Sequence, residues 1–401
     1  MRTALSGYRE RAANEAMGEA PGADARLYVQ ELRLTNFRNY ERAAASLDER
    51  PVVLVGDNGA GKTNLLEAVS LLGAGQGLRG RPYDELARKD GAGGWAVAAT
   101  VMSLEGVVEI GTGFGLAGPS EGYGRSVRIA GKGQSAGALA DYVQLVWVVP
   151  EMDGLFNGPA SERRRFLDRL MLAIDPKMRG PRGHYDRAMR QRNRLFQMRE
   201  GSSSLFAGLE EQMAEAGVAI AAARLDAVER LLALIRRTHE ARGRGPFPYA
   251  LLTLEGTLER ALMERPAIEV EDDYVSLLSE ARERDRLACR ALAGPHLSDL
   301  IVFHGPHHAP AGDCSSGEQK ALLLGLVLAE ARLIWELSGA APLVLFDEVA
   351  AHLDAARREA LFEEILDLKA QAWMTGTDRS TFASIASQAQ ILAVNRGRIS
   401  A

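Results

Sequence analysis

The chain has 401 residues, 46% hydrophobic and 25% charged, with 48 basic against 53 acidic residues and a formal net charge of −5. That is ordinary globular material, long enough for two or more compact units, and its balance does not advertise a polyanion partner, although a local basic face could still serve one. No apolar run reaches the ~18 residues of a membrane span, and Cys289 and Cys314 lack metal-ligand spacing, so a reducing, cytoplasmic, membrane-free setting is expected.

Residues 1–26 are rich in Ala, Gly, Glu and Arg without a clean period and lack a signal peptide's apolar core; they read as a poorly ordered leader. Residues 27–160 read as the first half of a folded head that residues 301–401 complete. Leu27 to Leu34 alternates as a strand does, Arg42 to Leu47 supplies a second, and Asn36-Phe37-Arg38-Asn39-Tyr40 between them is either a turn packed by its two rings or a functional segment.

The apolar run Val52 to Val55 then leads into Gly56-Asp57-Asn58-Gly59-Ala60-Gly61-Lys62-Thr63, which spells G-x-x-x-x-G-K-[ST]. Glycines let successive N–H groups point at phosphate oxygens without a Cβ in the way. Lys62 is expected to reach the β- and γ-phosphates, and Thr63 to offer its hydroxyl to Mg²⁺. The helix read from Asn64 to Leu72 adds the positive end of its dipole.

From Trp95 to Val149 the pattern is mostly β, over Ala96 to Met102, Val107 to Gly111, Val127 to Ile129 and Val143 to Val149. A helix follows Pro150-Glu151, with Ser161 a plausible N-cap. Residues 161–300 read as an inserted, mainly helical lobe. Val218, Ala221, Leu225, Val228, Leu232 and Ile235 form a short a/d seam, which suits one face of a helix in a compact lobe better than an extended coiled-coil arm. Arg187, Arg190 and Arg194 recur at helical spacing, with Arg192 nearby; such a face could track phosphates or be a solvated surface. His304, His307, His308, Asp313 and Cys314 cluster in a Pro/Gly loop whose spacing fits no standard zinc pattern, so metal binding is disfavoured there.

Residues 301–401 carry the second half of the site. Ser315-Ser316-Gly317-Glu318 opens an apolar helix and presents hydroxyls and free N–H groups, an anion-binding arrangement. Leu343-Val344-Leu345-Phe346-Asp347-Glu348 is a continuous apolar strand ending in two carboxylates, the Walker B pattern. Asp347 is placed to hold Mg²⁺ and Glu348 to polarise the attacking water, with Lys62 completing the catalytic set. His352-Leu353-Asp354 opens a further helix, and Ala372 to Asp378 gives a strand with polar groups at its end.

The order of phosphate loop, helical insertion, Ser/Gly signature, Asp-Glu strand end and Leu353-Asp354 resembles the ABC-type ATPases of the SMC and RecF group. Within it the chain is similar to the RecF family through Leu34 to Tyr40, Glu162 to Asp168, Tyr185 to Arg194 and Gly294-Pro295-His296, over residues 27 to 395. The resemblance implies an α/β fold: a P-loop ABC-type ATPase head with a β-rich subdomain and an inserted helical lobe. It implies ATP sandwiched in a head-to-tail homodimer, Ser315, Ser316 and Gly317 of one chain serving the nucleotide held by Lys62 of the other. Arg38 and Asn39 lie near that nucleotide, the Q-loop falls at Pro150 and Glu151 with Glu151 a further candidate Mg²⁺ ligand, and Asp354 belongs to the D-loop.

As function, the resemblance implies a weak, DNA-stimulated ATPase of recombinational repair and replication-fork maintenance. It acts on duplex DNA near single-strand gaps and works with RecR and RecO in recombinase loading, with Arg187, Arg190 and Arg194 as candidate DNA contacts. Two departures stand out: Leu297-Ser298-Asp299 after Gly-Pro-His, and Glu318 where glutamine is frequent. The alternatives are a transporter's nucleotide-binding subunit and a non-hydrolysing binding module. Thr377 at the position of the transporter switch histidine and the long insertion before Ser315 stand against the first; intact Lys62, Thr63, Asp347 and Glu348 stand against the second.

Overall fold

A computed structural model describes residues 26–91, 93–115, 124–198, 202–243 and 245–400. The expected leader therefore lies, apart from its last residue, outside the described residues. In chain order the elements are Tyr28–Phe37 (β1), Tyr40–Ser46 (β2), Val52–Val55 (β3), Lys62–Ser70 (α1), Trp95–Ser103 (β4), Gly106–Phe114 (β5), Ser126–Ile129 (β6), Lys132–Gln134 (β7) and Leu145–Val148 (β8). Then come Ala160–Ile174 (α2), Arg179–Met198 (α3), Ser203–Arg242 (α4), Ala250–Glu255 (β9), Thr257–Glu264 (α5), Ala267–Glu280 (α6), Arg282–Ala288 (α7), Asp299–His304 (β10) and Ala309–Pro310 (β11). The last are Ser316–Ser338 (α8), Leu343–Phe346 (β12), Ala355–Asp367 (α9), Ala372–Gly376 (β13), Gln390–Asn395 (β14) and Arg398–Ser400 (β15).

Two compact units result. Among the described residues, one holds 26–153, 245–248 and 320–400, and the other 154–243 and 249–319. In the first, an antiparallel sheet of order β2-β1-β4-β5-β6-β7 accompanies a second sheet of order β15-β14-β3-β13-β12-β8. Strands β14, β3, β13, β12 and β8 of the second sheet run parallel. Parallel strands are covered on both faces, which is why Val52, Val53, Leu54 and all of Leu343–Phe346 are buried and read as unbroken apolar runs. The core joins Leu65, Leu66 and Val69 of α1 to Leu32, Leu34, Trp95 and Val97 of the antiparallel sheet. A register shift between Val29 and Glu31 lets Val29 and Leu32, three residues apart, both face inward.

The second unit is built on α4, which packs against α2, α3, α5, α6 and β9. Its buried face runs through Met213, Ile220, Ala221, Arg224, Ala227, Leu231 and Leu234, while Leu225 and Leu232 are only half-buried. That face is wider than a coiled-coil seam, as a helix surrounded on several sides requires.

Three local expectations change. The sequence reads residues 161–300 as mainly helical, yet Ala250–Glu255 is a strand, paired antiparallel with Asp299–His304 from Ala250↔His304 to Asp299↔Glu255. A six-residue Ala/Leu-rich run does not declare its period; the long-range ladder decides it. The same ladder groups residues 301–319 with the helical unit. Pro159 rather than Ser161 occupies the N-cap of α2, whose first residue is Ala160.

Candidate functional site

The phosphate loop leaves β3 at its C-terminal end and enters α1 at Lys62. Gly61 takes φ 118°, and a Cβ there would come within 2.4 Å of the Asn39 side chain and 2.9 Å of the Tyr40 hydroxyl. Gly56 lies against the Val394 carbonyl oxygen, 2.2 Å from where its Cβ would be. Both positions exclude any other residue on steric grounds. The buried Lys62 folds its Nζ back to donate to the carbonyl oxygens of Gly56 at 2.7 Å and Asp57 at 2.9 Å. It is thus held over the loop it is expected to serve.

Strand order brings the carboxylates in. β13 lies between β3 and β12, and its Thr375 Oγ1 donates to Asp347 Oδ1 at 2.8 Å while Thr63 Oγ1 donates to the same oxygen at 2.9 Å. Burial pushes the Asp347 carboxyl above the ordinary carboxylate range, against the pull of the Thr375 and Thr63 hydroxyls. Glu348 sits at φ 57°, an unusual conformation for a non-glycine residue, and its N–H donates to Thr375 Oγ1 at 2.8 Å. Thr375 therefore fixes both carboxylate residues. Sequence reasoning missed it; the only signal was the polar end of its strand.

The turn at Arg38 and Asn39 joins the same constellation. Asn39 Nδ2 donates to the Ala60 carbonyl at 3.0 Å, its Oδ1 accepts from Asn64 Nδ2 at 2.9 Å, and Tyr40 OH donates to the Gly61 carbonyl at 2.9 Å. Arg38 makes a two-pronged pair with the buried Glu67 of α1, at 2.7 and 2.9 Å, and donates to the Glu85 carbonyl at 3.0 Å. Phe37 and Tyr40 are fully buried, so the ring-packed turn and the loop-bracing segment are one object. Glu67, with Arg79 3.8 Å away, is a second participant that the sequence did not single out.

Other expected residues are more dispersed. Glu151 is exposed on the short 3-10 turn Pro150–Gly154. Asp354 caps α9, accepting from Arg357 N at 2.8 Å. Ser315, Ser316 and Gly317 are exposed at the start of α8 and fall in the helical unit. Ser315 and Glu318 form a capping box: Glu318 Oε2 accepts from Ser315 Oγ at 2.7 Å and from Ser315 N at 2.9 Å, which holds the Glu318 carboxyl below its usual range.

In the helical unit, Arg187, Arg190 and Arg194 are exposed along α3. Arg192 is not part of that face. It is fully buried and pairs with Asp285 at 2.6 Å and Glu210 at 3.0 Å. Gly294, at φ 130°, lets Tyr185 and Tyr274 close over it, and Tyr185 OH lies 2.7 Å from His296 Nδ1. Among the described residues, no helix is long and apolar enough to cross a membrane.

No family model matches the chain. Curated relatives do. It is 50% identical over 376 residues to the DNA replication and repair protein RecF of Mesorhizobium japonicum, covering 94% of this chain and 98% of the relative. It is 50% identical over 375 residues to the RecF of Brucella suis biovar 1, covering 93% of this chain and 96% of the relative. The chain belongs to the RecF family.

That membership sets aside the transporter alternative. A solved structure described as the recombination mediator protein RecF-ATPrS in the RecFOR pathway superposes with a TM-score of 0.80 at 22% identity, over 93% of this chain and 98% of the other. A second, described as RecF-ATP, gives 0.78 at 22% identity over 94% and 99%. The fold is accordingly that of RecF: an α/β, P-loop ABC-type ATPase head with an inserted helical lobe.

Proposed function

We propose that the chain is an ATP-driven dimerisation switch on DNA, reset by slow hydrolysis. The observation that carries this reading is the run of hydrogen bonds from Thr63 through Asp347 and Thr375 to Glu348. Thr63 and Asp347 present hard oxygen donors side by side, a set that fits Mg²⁺. When bound, the ion would neutralise charge developing between the β- and γ-phosphate oxygens.

The remaining work belongs to the protein. Lys62 exchanges two carbonyl partners for phosphate oxygens, and the amides of Gly59 to Thr63 face the β-phosphate with the positive end of the α1 dipole behind them. Asn39 and Tyr40 brace the loop from behind through the Ala60 and Gly61 carbonyls, while Arg38 holds the neighbouring α1 through Glu67. Glu348, fixed through its amide, accepts the proton of the attacking water. Ser315 and Gly317 of a second copy close over the nucleotide, and Asp354 lies at that seam. ATP can shift the equilibrium because this second set of contacts exists only in the dimer.

The same reading assigns duplex DNA near single-strand gaps to the arginine face of α3, and RecR and RecO as partners in recombinase loading. Relatives named as DNA replication and repair proteins, and solved structures described with ATP, support it. The test is Glu348→Gln. ATP binding should persist, turnover should fall by about 10²-fold or more, and the ATP-bound dimer should accumulate in size-exclusion chromatography. Undiminished hydrolysis by this variant removes Glu348 from its role.

A further inference from the structure

The loop after β10 holds a cluster that the nucleotide site does not use. Its sequence spacing, His304 and His307 followed by Cys314, matches no standard zinc pattern, but folding gives it a different geometry. The 3-10 turn Gly305–His307 and the left-handed His308, at φ 51°, reverse the chain into β11, and a second 3-10 turn, Ala311–Asp313, returns Cys314. One ligand atom from each of His304, His307 and Cys314 then lies within 4.8 Å of the others. Among the described residues this is the one group of three or more metal-ligating side chains so arranged.

We propose that His304, His307 and Cys314 form a binding site for a zinc-class divalent cation. Two imidazoles and a thiolate are the donor types that borderline-soft ions select, and three protein ligands leave a fourth position for water. Zinc bonds of about 2.0–2.3 Å place ligand atoms roughly 3.5 Å apart, so the side chains close by about an ångström on capture.

The surroundings suit such a site. Glu318 Oε1 lies 3.5 Å from His307 Nδ1, the carboxylate–imidazole arrangement that orients a ligating ring and leaves its other nitrogen for the metal. The other oxygen of Glu318 holds Ser315, so the ligand shell is tied directly to the signature turn. His304 is buried and its ring packs against that of His307, tilted by 36° with centroids 4.1 Å apart. Its Nδ1 accepts a long 3.2 Å bond from the His307 amide, and metal capture through either nitrogen exchanges that bond for a coordinate one. Binding also releases the Cys314 thiol proton to solvent.

The experiment uses the full chain, reduced, metal-free and nucleotide-free, with the exposed Cys289 changed to Ser so that a single thiol remains. Titration with Co²⁺ should produce a thiolate-to-cobalt charge-transfer band that saturates at one equivalent and is displaced by Zn²⁺. Cys314→Ser should abolish the band, and His307→Ala should weaken cobalt affinity by about tenfold or more, with far-UV circular dichroism unchanged in both. Absence of the band in the folded parent protein overturns the proposal, as does a band that persists at full strength in either variant. The Mg²⁺ site is all oxygen and gives no such band, so failure here is separate from failure of the nucleotide reading.

Discussion

Two groups of buried carboxylates in this protein are treated in opposite ways. In the helical unit, Asp285 and Glu210 meet Arg192, and Asp168 meets Arg224 at 2.7 Å, with Arg182 at 3.2 Å as well. At the ends of the parallel strands, Asp347 is met by two hydroxyls, while Lys62 of the phosphate loop spends its hydrogen bonds on backbone carbonyls. A buried charge matched inside its own fold has nothing left to bind. One held by neutral donors stays costly until a cation arrives, and that is how a binding site differs from a structural ion pair.

The sharpest way to break this comparison is Arg192→Leu. It leaves Asp285 buried without its cation and Glu210 with Arg282 as its remaining partner, and the expected cost is about 3–5 kcal/mol, read from urea unfolding of the full chain. A midpoint equal to wild type would mean that the lobe's carboxylates do not depend on their pairing.

Asp347→Asn should have the opposite sign. The folded-state pKa of Asp347 is raised, so the ionised form penalises the fold: the penalty is absent below the ordinary carboxylate range and grows as pH rises through the window up to the raised value. At pH 7, without nucleotide or metal, the Asn variant should therefore melt higher than wild type, and the difference should vanish at acid pH where Asp347 is itself protonated. The same variant should lose metal-dependent hydrolysis. A lower melting temperature at pH 7 would show that Asp347 is already compensated.

The smallest effect on stability is expected from changing Arg187, Arg190 and Arg194 together to Ala. Exposed helix positions cost within about 0.5 kcal/mol each, in contrast to Arg192 on the same helix. If the face binds phosphates, the salt dependence of duplex binding should flatten by about one unit of slope for each phosphate no longer neutralised. An unchanged slope removes the face from the DNA-binding reading.

The phosphate loop was legible because its information is local. Glycines, a lysine and a threonine at fixed spacing between an apolar run and a helix state the geometry within a dozen or so residues, and the Walker B strand is equally self-contained. Arg192 was not legible, since it shares its helix with exposed arginines and only its rotation into the lobe separates it from them. Thr375 was no more visible, because its place beside Asp347 depends on β13 lying between β3 and β12.

The sequence by itself thus determined the motifs of the head: where the phosphate-loop pattern lies, which strand ends in the two carboxylates, and the RecF-like order in which they occur. Only the tertiary structure decided which carboxylates are neutralised, that Ala250–Glu255 is a strand, and that His304, His307 and Cys314, of unpromising spacing, converge just before Ser315. The physical reason is that residue type and period are written along the chain, whereas the partner of a buried charge or a ladder hydrogen bond is chosen by elements far apart in it.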